Sequence, residues 1–206
     1  MKGVKNTGTD RYGGAFVTEN CLLIIAATMT ADAVQSATVD AARNADGDVV
    51  GLSVLGIGAG TGKRTIDQHR AVDVELNAAF ARGLEASGRV EHLAFMSAVG
   101  ANPTASTTAS GAVGGARYNR VKGEAEEAVK THGPAVVSIF RPSMIIGSQH
   151  TPALLEKLLP LFSFVTPAKF KWITVAQIAR AMIATSLHPP TTSGIYHYPE
   201  MMSQGH

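Results

Sequence analysis

Tyr118 and Lys122 stand four residues apart in a stretch that reads as helix, so both side chains fall on one face, a turn apart. An ammonium beside a phenol favours the phenolate, and the expected effect is a tyrosine pKa lowered toward working pH. A tyrosine tuned in this way can give a proton to a carbonyl oxygen or take one from an alcohol. A Tyr-x-x-x-Lys pair alone is a weak signal, because any solvated helix can carry one. Ser97 supplies context. It closes the apolar run Ala94-Phe95-Met96, where a hydroxyl can hydrogen-bond a reacting oxygen beside a helix-borne tyrosine. A Gly/Ala/Ser/Thr-rich loop, the Tyr118–Lys122 pair and a second apolar run ending at Arg141-Pro142-Ser143 follow in that order.

The elements around these residues are read from apolar pattern and caps. Cys21–Ala27, Asp48–Leu55, Val90–Met96 and Ala135–Phe140 are short apolar runs of the kind that form strands buried on both faces. Between them lie helical stretches. Thr30–Arg43 has Thr30 as N-cap and Asp32 in its first turn. Thr65–Ser87 sets Val72, Leu76, Ala79, Phe80 and Leu84 on one face and stops at Gly88. Ala116–Thr131 carries Tyr118 and Lys122. Beyond Phe140, Thr151–Leu159 and Thr174–Leu187 read as amphipathic helices, the latter with Val175, Ile178, Ala179, Met182 and Ile183 on its core face, and Gly194–Tyr198 as a last short strand. Buried strands alternating with helices predict an α/β fold, a Rossmann-like parallel sheet with helices on both faces. Ligands bind such sheets beyond the C-terminal strand ends, here the segments after Leu55, Met96 and Phe140. One domain over 1–206 is expected, with 148–206 contributing a small substrate-side lobe.

Three runs carry a family resemblance: Phe95-Met96-Ser97-Ala98-Val99-Gly100-Ala101, Tyr118-Asn119-Arg120-Val121-Lys122-Gly123-Glu124-Ala125-Glu126, and Phe140-Arg141-Pro142-Ser143. Together they resemble the atypical short-chain dehydrogenase/reductases, in particular their Tat-interactive oxidoreductase-like subgroup. That resemblance implies an NAD(P)-dependent oxidoreductase, with NADP slightly favoured over NAD, acting on a small molecule of unknown identity. It implies Tyr118 as proton donor or acceptor, Lys122 on the nicotinamide ribose, and Ser97 orienting the reacting oxygen. Arg141, Pro142, Ser143 and Met144 would line the nicotinamide pocket, and Leu55, Gly56 and Ile57 would pass the adenosine half. Asp73 matches a position often held by asparagine or aspartate in the family.

The family's opening strand and glycine-rich turn, which cradle a pyrophosphate at a helix N-terminus, find no counterpart. Thr7-Gly8-Thr9-Asp10-Arg11-Tyr12-Gly13-Gly14 has no apolar strand before it and the wrong glycine spacing. The sheet is therefore expected to be N-terminally truncated, to bind a dinucleotide weakly or not at all, and either to be less stable or to associate through its open edge as a homo-oligomer. A non-catalytic binding protein that keeps the fold is the alternative. Gly58-Ala59-Gly60-Thr61-Gly62-Lys63 fails the phosphate-loop pattern, having Ile57 where its first glycine belongs and Arg64 where its Ser or Thr belongs. It is expected to be a flexible loop over the cleft.

Bulk composition excludes several classes. A formal charge of +2 with 17% charged residues forces no basic face for nucleic acid, and no nucleic-acid partner is expected. No apolar run is long enough to span a bilayer and no signal peptide is visible, so a soluble cytoplasmic protein is expected. The single cysteine, Cys21, allows no internal disulfide. The seven histidines show no metal-ligand spacing; His69 and His92, beside core elements, are expected to be structural or exposed.

Overall fold

The computed structural model describes residues 29–146 and 167–204. The expected strand Cys21–Ala27, the expected helix Thr151–Leu159 and the Thr7–Gly14 run lie outside the described residues. In chain order, helix α1 (Ala31–Asn44) opens on Thr30, whose side chain accepts the Ala33 N–H at 3.2 Å. Strand β1 (Gly51–Ser53) follows, then a 3-10 turn over Gly58–Lys63. Thr65 caps α2 (Ile66–Arg70) in a reciprocal box with Gln68. A π-helical turn (Ala71–Leu76) joins α2 to α3 (Asn77–Ser87), which ends at Gly88 in the left-handed region, φ 66°. Next come β2 (His92–Met96), α4 (Ala116–His132), β3 (Val136–Phe140), the short β4 (Ile145–Ile146) and β5 (Ile173–Thr174), α5 (Val175–Leu187), β6 (Gly194–Tyr196) and α6 (Tyr198–Gln204).

The main sheet runs β1-β2-β3-β6 with every pair parallel, and β4 pairs with β5 apart from it. Alternate residues of β2 and β3 feed two cores. Leu93, Phe95, Val137 and Ile139 pack against Val34, Leu76, Phe80, Leu84 and Val129 of α1, α3, α4 and the π turn. Ala94 and Phe140 pack on the opposite face against Ile178, Ala181, Met182 and Met201 of α5 and α6. Helices therefore cover both faces of a parallel sheet, as the alternating pattern predicts. The strand ends at Ser53, Met96 and Phe140 all point one way, which places Ile57, Ser97 and Arg141 along one edge.

Several expectations need correction. The run Asp48–Leu55 supplies only three strand residues, and Val50 and Val54 are exposed. The pairing of β1 with β2 begins at Gly51 against Leu93, and Asp48–Val50 lie outside that ladder. The glycine-rich segment is not an irregular loop, because Gly58–Lys63 winds into a 3-10 turn whose end is fixed by Arg64 N–H donating to Thr61 O. On α5 the buried face is Ile178, Ala181, Met182 and Thr185, whereas Val175 and Ile183 are about half exposed, at 50% and 51%. Ile183 is therefore not core; the helix is rotated so that the i, i+3, i+4, i+7 set from Ile178 meets the sheet. His69 and His92 are both buried.

The loop between β2 and α4 lies tightly on the helix. Asn102 N–H donates to Asn119 O at 2.9 Å, and a Cβ on Gly123 would collide with the backbone of Asn102 and Pro103. Gly123→Ala is therefore expected to lose about 1–3 kcal/mol of stability in urea unfolding, despite alanine's better helix propensity. Gly62→Ala, whose Cβ would sit 3.6 Å from Ala112 in ordinary contact, should be close to neutral in the same assay.

Candidate functional site

Helix α4 presents Tyr118, Lys122 and Glu126 at successive i, i+4 positions, and all three are buried. Facing them is a second polar series at the same spacing, His69, Asp73 and Asn77, carried by α2, the π turn and α3 and also buried. The two rows meet at an ion pair: Lys122 Nζ lies 2.6 Å from Asp73 Oδ1. His69 Nε2 stands 3.5 Å from the same oxygen, and the His69 ring stacks on Tyr118 with centroids 5.7 Å apart. Lys122 Nζ is 5.8 Å from the centre of the Tyr118 ring.

The end of β1 is bound to this cluster. Asp73 Oδ2 accepts the Ile57 N–H at 3.0 Å, Asn77 Nδ2 donates to Leu55 O, and Ser53 Oγ donates to Asn77 Oδ1 at 2.6 Å. Gly56 leaves room for the pair: a Cβ there would stand 2.9 Å from Asp73 Oδ1 and 3.0 Å from Lys122 Nζ and would press on both side-chain ends. Asp73 is thus an anchor for both the lysine and the Leu55–Ile57 segment. The π turn that carries it is a form concentrated at functional positions.

Charge states follow from this packing. Burial opposes ionisation of Asp73, but Lys122 and His69 outweigh it and hold the carboxyl at about 2, below its ordinary 3.8. Burial likewise opposes the Lys122 charge, yet Asp73, with Tyr118 and Glu126, raises its pKa above the ordinary value. For Tyr118 the outcome corrects the sequence expectation. Burial, joined by the Asp73 charge, raises the phenol pKa, and Lys122 opposes this without reversing it. The lysine charge is already neutralised at short range, so the phenol stays protonated.

Ser97 belongs to a different contact set on the same edge. Its hydroxyl donates to Glu126 Oε1 at 2.5 Å, and Glu126 also accepts both donors of a forked Arg141 pair, from Nε at 2.8 Å and Nη2 at 2.5 Å. The ends of β2 and β3 are thereby clamped to α4. Around Pro142 the backbone is fixed by Val99 N–H to Pro142 O and Arg141 N–H to Tyr196 O, while Ser143 Oγ donates to Lys171 O. Met144 is exposed. The structure brings Tyr118, Lys122, Gly56 and Ile57 around Asp73, and Ser97 with Arg141 around Glu126; Lys122, facing both carboxylates, joins the two sets. Sequence reasoning missed His69, Asn77 and Glu126. Their signal was the repeated four-residue spacing with Asp73 and Lys122.

No protein-family model matches the chain, and no curated protein matches it in sequence. Solved structures do match in shape. MoeE5 in complex with UDP-glucose and NAD superposes with TM-score 0.53 at 13% identity, over 81% of this chain and 63% of that one. A putative epimerase from Burkholderia cenocepacia J2315 gives 0.52 at 18%, over 84% and 61%. The human epimerase family protein SDR39U1 with NADPH gives 0.50 at 14%, over 81% and 60%. The chain spans about three fifths of the length of these structures. Its fold is Rossmann-like, as in these structures. Among the described residues no helix is long and apolar enough to cross a membrane, and no group of three His, Cys, Asp or Glu is placed to hold a metal ion.

A carboxyl whose pKa is depressed on folding contributes stability above its unfolded pKa and loses it as pH falls through the folded one. For Asp73 that window runs from about pH 4 down to about 2. Urea midpoints of the native protein should therefore fall more steeply across that window than those of Asp73→Asn. At neutral pH the Asp73→Asn protein should be less stable by about 3 kcal/mol, because Lys122 is left buried without its counter-charge. Adding Lys122→Met should recover some of that loss.

Proposed function

We propose that this protein is an NAD(P)-dependent oxidoreductase of the short-chain dehydrogenase/reductase type, acting on a carbonyl or alcohol of a small substrate. The observation that carries the reading is the buried Tyr118–Lys122–Asp73 arrangement at the C-terminal edge of a parallel sheet. The shape matches support the cofactor class, since MoeE5 and SDR39U1 were solved with NAD and NADPH. The motif runs at Ser97, Tyr118 and Arg141 favour the Tat-interactive oxidoreductase-like subgroup, and with it NADP over NAD.

The donor set suits the nicotinamide half of such a cofactor. Lys122 has three N–H donors; Asp73 engages one of them, which leaves donors for ribose hydroxyls. Leu55, Gly56 and Ile57 run beside the ion pair and would flank the adenosine side. Arg141 has its guanidinium committed to Glu126, so it, Pro142, Ser143 and Met144 would shape the pocket chiefly through backbone. When bound, the nicotinamide supplies or takes the hydride. Tyr118, kept protonated by burial, suits the reducing direction: it donates its proton to the oxygen that becomes an alcohol. Ser97 gives its own proton to Glu126, and its remaining lone pair would accept the hydrogen of that alcohol.

A second reading, a non-catalytic binding protein with this fold, is favoured by one fact: Lys122 and Ser97 are already engaged, by Asp73 and Glu126. Calorimetric titration with NADPH and NADH, followed by turnover of a test aldehyde, separates the two. The oxidoreductase reading predicts weak but saturable NADPH binding, about tenfold weaker in Lys122→Met, since one charge-assisted hydrogen bond is lost. Binding without any turnover would favour the second reading, and absence of binding would overturn the first.

A further inference from the structure

His69 is a buried titratable side chain to which the proposed reaction gives no task. It stands 1% exposed near the end of α2, one turn ahead of Asp73. Its ring stacks on Tyr118, with centroids 5.7 Å apart and planes 28° apart, and its Nε2 lies 3.5 Å from Asp73 Oδ1. Building on the oxidoreductase reading of this site, and resting on it, we propose that His69 is a positioning residue for proton delivery. Its ring sets the tilt of the Tyr118 ring, and its Nε2 aims that plate from Asp73.

Filling space beside a buried phenol needs no nitrogen. Phenylalanine would pack there without the cost of desolvating an imidazole. The histidine instead turns Nε2 to a carboxylate, and a bare nitrogen would oppose that negative charge, so the contact calls for the hydrogen on Nε2. At 3.5 Å the contact is longer than a usual N–H···O bond of about 2.9 Å, and Nε2 has no hydrogen-bond partner in its place. Hydrogen bonds of a working site are often long before its ligands bind and tighten in the complex. Asp73 already feels the imidazole, which is one of the groups that hold its carboxyl at about 2.

The arrangement carries that tie to the phenol. His69–Tyr118 and Asp73–Lys122 are two rungs, one turn apart, between α4 and the segment formed by α2 and the π turn. The α4 backbone fixes where Tyr118 starts, but the ring can still turn about its Cα–Cβ and Cβ–Cγ bonds. The imidazole plate limits that turning, and Asp73 keeps the plate in place. A displacement of about 1 Å at a reacting group can cost about a hundredfold in rate, so a plate of this kind bears on proton delivery without touching substrate.

Two variants separate the ring from the nitrogen. His69→Gln keeps an N–H that can reach Asp73 and loses the plate; His69→Phe keeps the plate and loses the N–H. The unliganded 206-residue chain would be studied with 13C-labelled tyrosine and aspartate. The flip rate of the Tyr118 ring is expected to rise about tenfold in His69→Gln, the scale of one aromatic contact, and to hold within about twofold in His69→Phe. The Asp73 carboxyl, at about 2 in the native protein, is expected to titrate at higher pH in His69→Phe and to stay in place in His69→Gln. With NADPH and 4-nitrobenzaldehyde, His69→Gln should lower kcat about tenfold and leave the KM for NADPH within about twofold. In a Tyr118→Phe background it should have no further effect on kcat, because the group it positions is gone. An unchanged flip rate in His69→Gln, an unchanged Asp73 titration in His69→Phe, or the same loss of kcat with and without the phenol would each overturn the proposal. Each variant is read by its own signal, so one that fails to fold leaves the other decisive. If the native protein turns nothing over while both spectroscopic differences appear, the oxidoreductase reading fails and the coupling of His69 to Tyr118 and Asp73 stands.

Discussion

The Lys122–Asp73 ion pair is the interaction on which the rest of the site depends. Two full charges held at 2.6 Å with almost no exposure are costly to bury and cannot be parted without leaving one of them stranded. The elements around the pair are arranged to keep it. The π turn delivers Asp73, α4 delivers Lys122, and β1 is followed by a glycine so that its backbone can pass the pair and give the Ile57 N–H to the second carboxylate oxygen. Asn77 and Ser53 extend the same network a further turn along the helix. What holds the sheet edge in place is therefore largely polar, in contrast to the apolar packing of α1 and α3 beneath it.

The pair also sets the character of Tyr118. An isolated lysine beside a phenol would draw it toward phenolate, but here the lysine's field is answered by Asp73 and the ring is enclosed by His69. A neutral phenol is a better acid than base, which is the form the proposed reduction uses. The second carboxylate, Glu126, has a parallel role a turn further along α4. It fixes the strand ends through Arg141 and Ser97 and sets which way the serine proton points. One helix face thus carries a phenol, a cation and an anchoring anion in sequence.

Much of the framework was legible in the sequence because it is local. Thr30, Thr65 and Thr174 announce helix starts through side chains that reach only three residues on, and Gly88 announces an end. The alternation of strand and helix followed from apolar runs separated by helical stretches. The four-residue spacing of Tyr118 and Lys122 likewise placed both on one buried face. Pairings between distant segments were not legible. Asp73 and Lys122 lie on different helices, and only tertiary packing says that the aspartate claims the lysine before the tyrosine does. The same limit applies to Ser97, whose position at a strand end was readable but whose turn toward Glu126 was not. Ile183 was misplaced for a related reason: an apolar residue next to a core stripe leaves the rotation of the helix undetermined within one residue step.

In the proposed reaction Tyr118 delivers a proton as hydride reaches a carbonyl carbon. The most direct measurement is transfer of deuterium from NADPH labelled at the reactive carbon to 4-nitrobenzaldehyde, by the native chain and by Tyr118→Phe. Deuterium is expected at the benzylic carbon of the alcohol with the native protein, and transfer slower by about a hundredfold or more without the phenol. No transfer by native protein with NADPH bound, or equal transfer by both proteins, would contradict proton delivery by Tyr118.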